Sequence, residues 1–263
     1  MSIVNQHPDG INPFAVSLIS TDCMTTSGVA HRALEENGHN DVLLKHMEDA
    51  LQKHHISPAA LQRHMDLITS LKIENLPTLR SPYPQTLTTQ KGNFAEVFLA
   101  EYLSSTTDAL LPIYRLRYNT NPDQSMKGDD VLLFDLDSDP VRIIVGESKF
   151  RGVPDKQAVI DIVDGLVRSN KAGLPVSLMF VADRLFQEGK PELGQKVQNC
   201  AVLFATNKLH IDYVGLLMSN RNTKTHVNKH TDNKLHNLLM VSLGMQDPQT
   251  IVKHAFEELE NDL

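Results

Sequence analysis

The sequence predicts a chain in the α/β to α+β range: a mixed β-sheet flanked by helices, preceded by a helical N-terminal region. Three observations lead there. From residue 91 onward, helical and extended patterns alternate in the order α, β, β, β, α, β, α, β, β, α. The first 80 or so residues carry apolar positions at helical spacing. Between the two lies "NLPTLRSPYPQT", whose three prolines read as an extended connector. A soft boundary there gives 1–85 as a helical region, a candidate partner-binding unit, and 86–263 as the sheet-bearing domain.

The elements follow in order. "VAHRALEENGHNDVLLKHMEDALQKHH" reads as helix interrupted at Gly38, with Leu43, Leu44, Met47 and Leu51 as its stripe. "SPAALQRHMDLITSLK" is a second helix, with Ser57 as N-cap and Pro58 in the first turn. "GNFAEVFLAEYLSS" is a third, apolar over much of its circumference. "IYRLRYN" alternates like a strand, and "VLLFDLDSDPVRIIV" reads as a hairpin turning at Asp-Ser-Asp-Pro. "DKQAVIDIVDGLVRS" is a helix ending near Asn170. "VSLMFVAD" reads as an apolar strand and "PELGQKVQNCAVLFA" as a helix at least at its start. "HIDYVGLLMS" and "NLLMVSLG" are strands separated by a polar loop, "SNRNTKTHVNKHTDNK". "DPQTIVKHAFEELE" closes as a helix capped by Asp247.

Composition narrows the function. The 263 residues suffice for a sizeable core. The two cysteines, Cys23 and Cys200, are far apart and lack ligand spacing, which fits free thiols in a reducing, cytoplasmic setting. The N-terminus has no basic stretch before its short apolar run, so no secretion signal is expected, and no apolar run reaches membrane-spanning length. A formal net charge of -7 excludes whole-molecule attraction to nucleic acid. A protein handling DNA with this balance needs a local basic face, bound metal ions or a partner that supplies the grip. Walker A, dinucleotide and Gly-x-Ser-x-Gly patterns are absent, so this chain is not expected to bind ATP.

The chemistry concentrates in "KGDDVLLFDLDSDPVRIIVGESKF", residues 127–150. Alternation puts Glu147 and Lys149 on one strand face, about 7 Å apart along the strand. With Leu136 and Val141 flanking a four-residue turn, antiparallel counting sets Asp130 opposite Glu147. Asp129 then faces Ser148 and points away. An odd-length loop or a bulge would exchange the two aspartates. Carboxylates opposed at about 5 Å repel unless a cation lies between them. Mg²⁺ suits such a pair, with Mn²⁺ as the alternative that ligand type does not separate. The ion would polarise a phosphoryl oxygen and acidify a bound water, and Lys149 would orient that water or offset charge on the phosphate. The plainer reading is a set of salt bridges at a solvated hairpin end.

Further charges surround this segment. Glu96 is embedded among apolar residues on the upstream helix and needs a partner, with Glu101 as its rival nearer Phe94, Val97 and Phe98. Arg115, Arg117, Lys127, Arg151 and Lys156 flank the segment as candidate nucleic-acid contacts. Arg221, Lys224, Lys229 and Lys234 against Asp232 make residues 219–234 a second basic patch. His226, His230 and His236 suggest zinc, but that segment does not read as a helix and no cysteine lies near.

An embedded helix Glu, an Asp opening one strand and Glu-x-Lys ending the next together resemble the PD-(D/E)XK nuclease superfamily. "KGNFAEVFLAEYL", "YRLRYNTNPDQSMKGDDVLLFD" and "IIVGESKFRG" are similar, more narrowly, to the HamA family, the nuclease subunit of the Hachiman anti-phage system. The resemblance is densest over residues 91–168 and is poorest over the first 80. It implies a metal-dependent deoxyribonuclease in which Asp130 and Glu147 bind the ion, Lys149 is the catalytic lysine and Glu96 the accessory acid. It implies a supporting role for Gln157, although Asp161 stands where the superfamily often has a tyrosine, and Gly128-Asp129 replaces the nominal Pro-Asp. It also implies a HamB-like superfamily 2 helicase as partner. A non-catalytic adaptor on a nuclease-like fold and an RNA-cleaving enzyme are the competing readings.

Overall fold

The computed structural model describes residues 3–71, 81–171 and 173–263. The first part of the expected connector, residues 75–80, lies outside them. Among the described residues, strands β1 (Leu18–Met24), β2 (Ala30–Glu36), β3 (Val131–Asp135), β4 (Val141–Phe150), β5 (Leu209–Asn220) and β6 (Leu238–Met245) form one sheet. Their order is β1-β2-β6-β5-β4-β3. The inner pairs β2·β6, β6·β5 and β5·β4 are parallel, while the edges β1 and β3 are antiparallel to their neighbours. The inner strands β5 and β6 are buried on both faces, which explains their nearly unbroken apolar runs.

Helices cover both faces. On one side lie α1 (Pro13–Ser17), α2 (Asn40–His55), α4 (Leu87–Thr106) and α9 (Pro248–Asn261), packed with Leu133, Ile144, Leu216 and Val241 of the sheet. On the other lie α5 (Lys156–Lys171), α6 (Leu178–Gln187), α7 (Pro191–Ala205) and α8 (Thr223–His230), packed with Leu132, Val145, Leu217 and Met240. Neighbouring strand residues such as Leu132 and Leu133 thus serve opposite cores, as pleating requires. α3 (Pro58–Leu71) lies largely exposed, touching the first core through Ala60 and Leu61.

The mixed sheet and its flanking helices agree with the expected fold class. α4 is apolar almost all round because it is enclosed between the sheet, α2 and α9; Phe94, Val97, Phe98, Leu99 and Tyr102 are all buried. Thr86 caps its start by accepting from the Thr89 amide, and Asp247 caps α9 through Thr250 as expected.

Four expectations are corrected. Residues 18–36 are two strands, not helix. Ala, Arg, Leu and Glu in β2 favour helix locally, but β2 is held between β1 and β6 with His31 to Leu34 buried, so tertiary pairing overrides propensity. "IYRLRYN" contains a 3-10 turn over Arg115–Tyr118; Ile113 and Leu116, three apart, are its buried residues. "VSLMFVAD" lies largely in α6, where Leu178, Val181, Ala182 and Leu185 form a buried helical stripe. The polar loop 219–234 contains α8, pinned to the sheet by Val227 and Thr223.

Candidate active site

The β3–β4 hairpin sets the site. Val131 pairs with Gly146 and Leu132 with Val145, the register expected from the turn, and continuing it by one residue brings Asp130 level with Glu147. β4 runs past the start of β3 to Phe150, so Glu147 and Lys149 project where β4 has lost its antiparallel neighbour. An open cleft of about 770 Å³ lies there, lined by Glu96, Asp130, Glu147, Lys149 and residues of α4, α5 and the loop before β3.

The two aspartates divide their tasks, but not on the faces that strand alternation assigned them: pairing ends at Val131, Asp129 reaches α5 and α6 on the Glu147 side, and Asp130 meets the Ser148 side chain. Asp129 is buried; its carboxylate accepts from the Ser169 hydroxyl at 2.7 Å and the Ser177 amide at 2.9 Å. Its own amide donates to Ser177 Oγ at 2.9 Å. It therefore ties the loop to α5 and α6. Gly128 precedes it at φ +114, a conformation that favours glycine. Asp130 turns the other way. Its Oδ2 accepts from the amide and the hydroxyl of Ser148 at 2.9 and 3.0 Å, which fixes it at the cleft.

Glu147 is an ion-pair partner of the Lys149 ammonium. Burial, and then the charge of Asp130, push its carboxyl up to about 7, with Lys149 opposing. On its far side Gly165 of α5 makes room for it: a Cβ there would lie 3.0 Å from the carboxyl carbon and 3.2 Å from Oε1.

Glu96, not Glu101, enters the cleft. It is 6% exposed, pairs with Arg115 Nε at 2.8 Å, and burial pushes it up to about 8, with Asp130 and Glu147 adding to the rise against Arg115. Glu101 instead accepts from His54 at 2.8 Å, with Lys53 at 3.8 Å. Arg115 also donates to the main-chain oxygens of Asp129 and Met126, so one guanidinium ties α4 to the loop that presents Asp130.

Of the expected cations, Arg115, Lys127, Lys149 and Arg151 line the cleft. Two do not. Arg117 donates to the Lys53 carbonyl at 2.8 Å and lies over the Tyr114 ring, because the 3-10 turn separates it from Arg115. Lys156 is exposed at the start of α5, outside the cleft lining. Gln157 is likewise exposed and donates to Asp161 at 2.8 Å, about two helical turns before Gly165, the first α5 residue of the cleft lining. Lys91 and Arg168, which sequence reasoning did not single out, do line the cleft. Lys91 lies five residues before Glu96 on α4, and Arg168 one turn after Gly165 on α5.

The cleft therefore gathers six cations, Lys91, Arg115, Lys127, Lys149, Arg151 and Arg168, around four acids, Glu96, Asp129, Asp130 and Glu147. A chain of net charge -7 thus carries a locally basic pocket with an acidic floor. The second basic patch is weaker: Lys234 pairs with Asp164 and Asp232, and Arg221 bonds Gln246. His226 and His230 do share a helix, ring centroids 5.8 Å apart, but no group of three metal-ligating side chains forms among the described residues.

A mixed sheet with opposed acids and a lysine at a strand end, backed by a buried helix glutamate, is consistent with a nuclease-like α+β fold. The chain belongs to the HamA family, whose model matches residues 18–259. It is similar to the Hachiman protein HamA of Bacillus cereus, 34% identical over 265 residues, covering 99% of this chain and 95% of that protein. Among the described residues no helix is long and apolar enough to cross a membrane.

Proposed function

We propose that this protein is a metal-dependent DNA phosphodiesterase of an anti-phage defence system. The observation that carries the reading is the placement of Asp130 beside Glu147, with Lys149 next to them, at the floor of a cleft rimmed by cations. The donor set fits Mg²⁺ or Mn²⁺. Burial, and then repulsion from Asp130, raise Glu147 to about 7, so a hard cation bound between the two carboxylates would favour their ionised forms. An ion that keeps several waters needs one or two carboxylates. Asp130 and Glu147 would hold it, and once bound it would supply Lewis acidity and an acidified water.

The chain's own groups do the rest. Ser148 holds Asp130 in place through two hydrogen bonds, and Gly165 leaves the space that Glu147 occupies. Lys149, freed from Glu147 when the acid takes another partner, offers its ammonium to charge developing on the phosphate. Glu96, held by Arg115, adds buried acidity behind them. The relative's name, Hachiman protein HamA, supports the defence role, and the family resemblance supports a HamB-like helicase partner that restrains and delivers the nuclease. ATP use belongs to that partner in this reading.

The test is degradation of plasmid and labelled DNA by the purified chain with Mg²⁺, with Mn²⁺ and with chelator, comparing wild type and Lys149→Ala. Metal-dependent cleavage lost in the variant supports the reading. Cleavage that survives both chelator and Lys149→Ala overturns it, and preferential cleavage of RNA moves the substrate.

A further inference from the structure

Resting on the phosphodiesterase reading, we propose that Arg168 is a substrate-binding residue that grips a nucleic-acid backbone phosphate beside the one being cut. The inference starts from the helix that carries it. Gly165, Arg168 and Ser169 are three and four residues apart on α5 and so share one face. The two neighbours of Arg168 on that face are both committed to the site. Gly165 lies against the Glu147 carboxyl, and Ser169 donates to Asp129. The helix face is thereby fixed against β4 and the loop before β3, and Arg168 is held at the cleft between them.

Its charge is also uncommitted. Arg115 is paired with Glu96, Lys149 with Glu147, and Arg151 with Asp155 and Asp161. Lys91 is engaged by Gln249 at 2.8 Å. Among the described residues no carboxylate lies within 4.0 Å of Arg168, although its field reaches Glu147 and is one of the influences holding that carboxyl down. Lys91 and Lys127 are the other cleft cations with no carboxylate so close among the described residues, but Lys91 is held by the Gln249 amide and Lys127 sits on a loop, whereas Arg168 is anchored by its helix. A guanidinium presents a planar fork that matches two oxygens of a phosphate. A solvated, anchored arginine at the wall of an acid-floored cleft has that role open to it and no structural bond to lose.

The experiment measures binding and cleavage separately with the full-length chain. Fluorescence anisotropy of a labelled DNA oligonucleotide in chelator is followed across a salt series for wild type, Arg168→Ala, Arg168→Lys and a remote control, Lys253→Ala on α9. Cleavage is followed with Mg²⁺. The expected result for Arg168→Ala is a shallower dependence of log affinity on log salt, by about 0.7 to 0.9, the loss of one phosphate contact. A rise in KM accompanies it, lowering kcat/KM roughly 10- to 100-fold. Arg168→Lys restores the salt slope and only part of kcat/KM, and Lys253→Ala matches wild type. Wild-type slope and kcat/KM in Arg168→Ala, on a chain that cleaves DNA, overturn this inference and leave the phosphodiesterase reading standing. A fall in kcat with slope and KM unchanged also overturns it, since Arg168 would then act only through Glu147. A wild-type chain that neither binds nor cleaves overturns both.

Discussion

Two buried polar clusters sit in different parts of the sheet, and they differ in how their charge is settled. On the β2–β6 side, His31 is enclosed between Ser242, at 2.8 Å from Nε2, and Asn228 at Nδ1. Beside it Arg32 holds both oxygens of Asp22 at 2.7 and 2.8 Å. Burial pushes His31 below its ordinary value, so it is neutral and fully bonded. At β3–β4, by contrast, Glu96 and Glu147 are pushed up to about 8 and about 7 even though each has a cationic partner. The first cluster is complete without anything else. The second holds carboxyls that burial and mutual repulsion keep reluctant to ionise, an unsettled arrangement that a bound cation would relieve. A buried polar group alone marks nothing; residual imbalance does.

That contrast is open to experiment. Lys149→Ala should have the largest effect: loss of metal-dependent cleavage by roughly 1,000-fold or more, with thermal stability close to wild type because the side chain is part-exposed. A stable variant that still cleaves would erase the distinction between the clusters. Gly165→Ala comes next. Its methyl group must push the Glu147 carboxyl by a few tenths of an ångström, so cleavage should drop about tenfold. A helix-interior glycine replaced by alanine gains about 0.5–1 kcal/mol, so the melting temperature should hold or rise. Opposite movements of activity and stability are the signature to look for.

His31→Ala should do the reverse. Loss of its bonds to Ser242 and Asn228 should cost about 2–3 kcal/mol in chemical denaturation, with cleavage per folded molecule unchanged. The smallest effect concerns pH. A carboxyl raised in the folded state keeps its proton while the unfolded chain has lost it, so stability falls as pH rises from the ordinary carboxylate range to about 8. In chelator, the melting temperature should fall between about pH 6 and pH 8, and Glu96→Gln should flatten that fall. A slope unchanged in Glu96→Gln would locate the imbalance elsewhere.

The sequence was most legible where local rules and tertiary demands agreed. The hairpin register followed from the turn and strand alternation; the faces of Asp129 and Asp130 did not, because pairing ends at Val131 and the chain bends before it. α4, α5, α7, α9, β5 and β6 were readable from periodicity and caps. Residues 18–36 were not, because helix-favouring side chains were conscripted into β2 by pairing with β6, some two hundred residues later. α6 was hidden because a short apolar run does not reveal its period until one face is seen to be exposed; Met179 lies outside the buried stripe. Gly165 and Arg168 were invisible as site residues for a different reason: their roles depend on how α5 is rolled against β4, which no local pattern encodes.

The position of β6 has a consequence for synthesis. It lies between β2 and β5 in the sheet, yet its residues 238–245 are made some two hundred residues after β2. Until then the β1–β2 hairpin has no strand to dock on, and its edge stays unpaired while residues 37–237 are made. The β1–β2 hairpin therefore depends on a partner made long after it, and any truncation that removes β6 leaves it without its parallel neighbour.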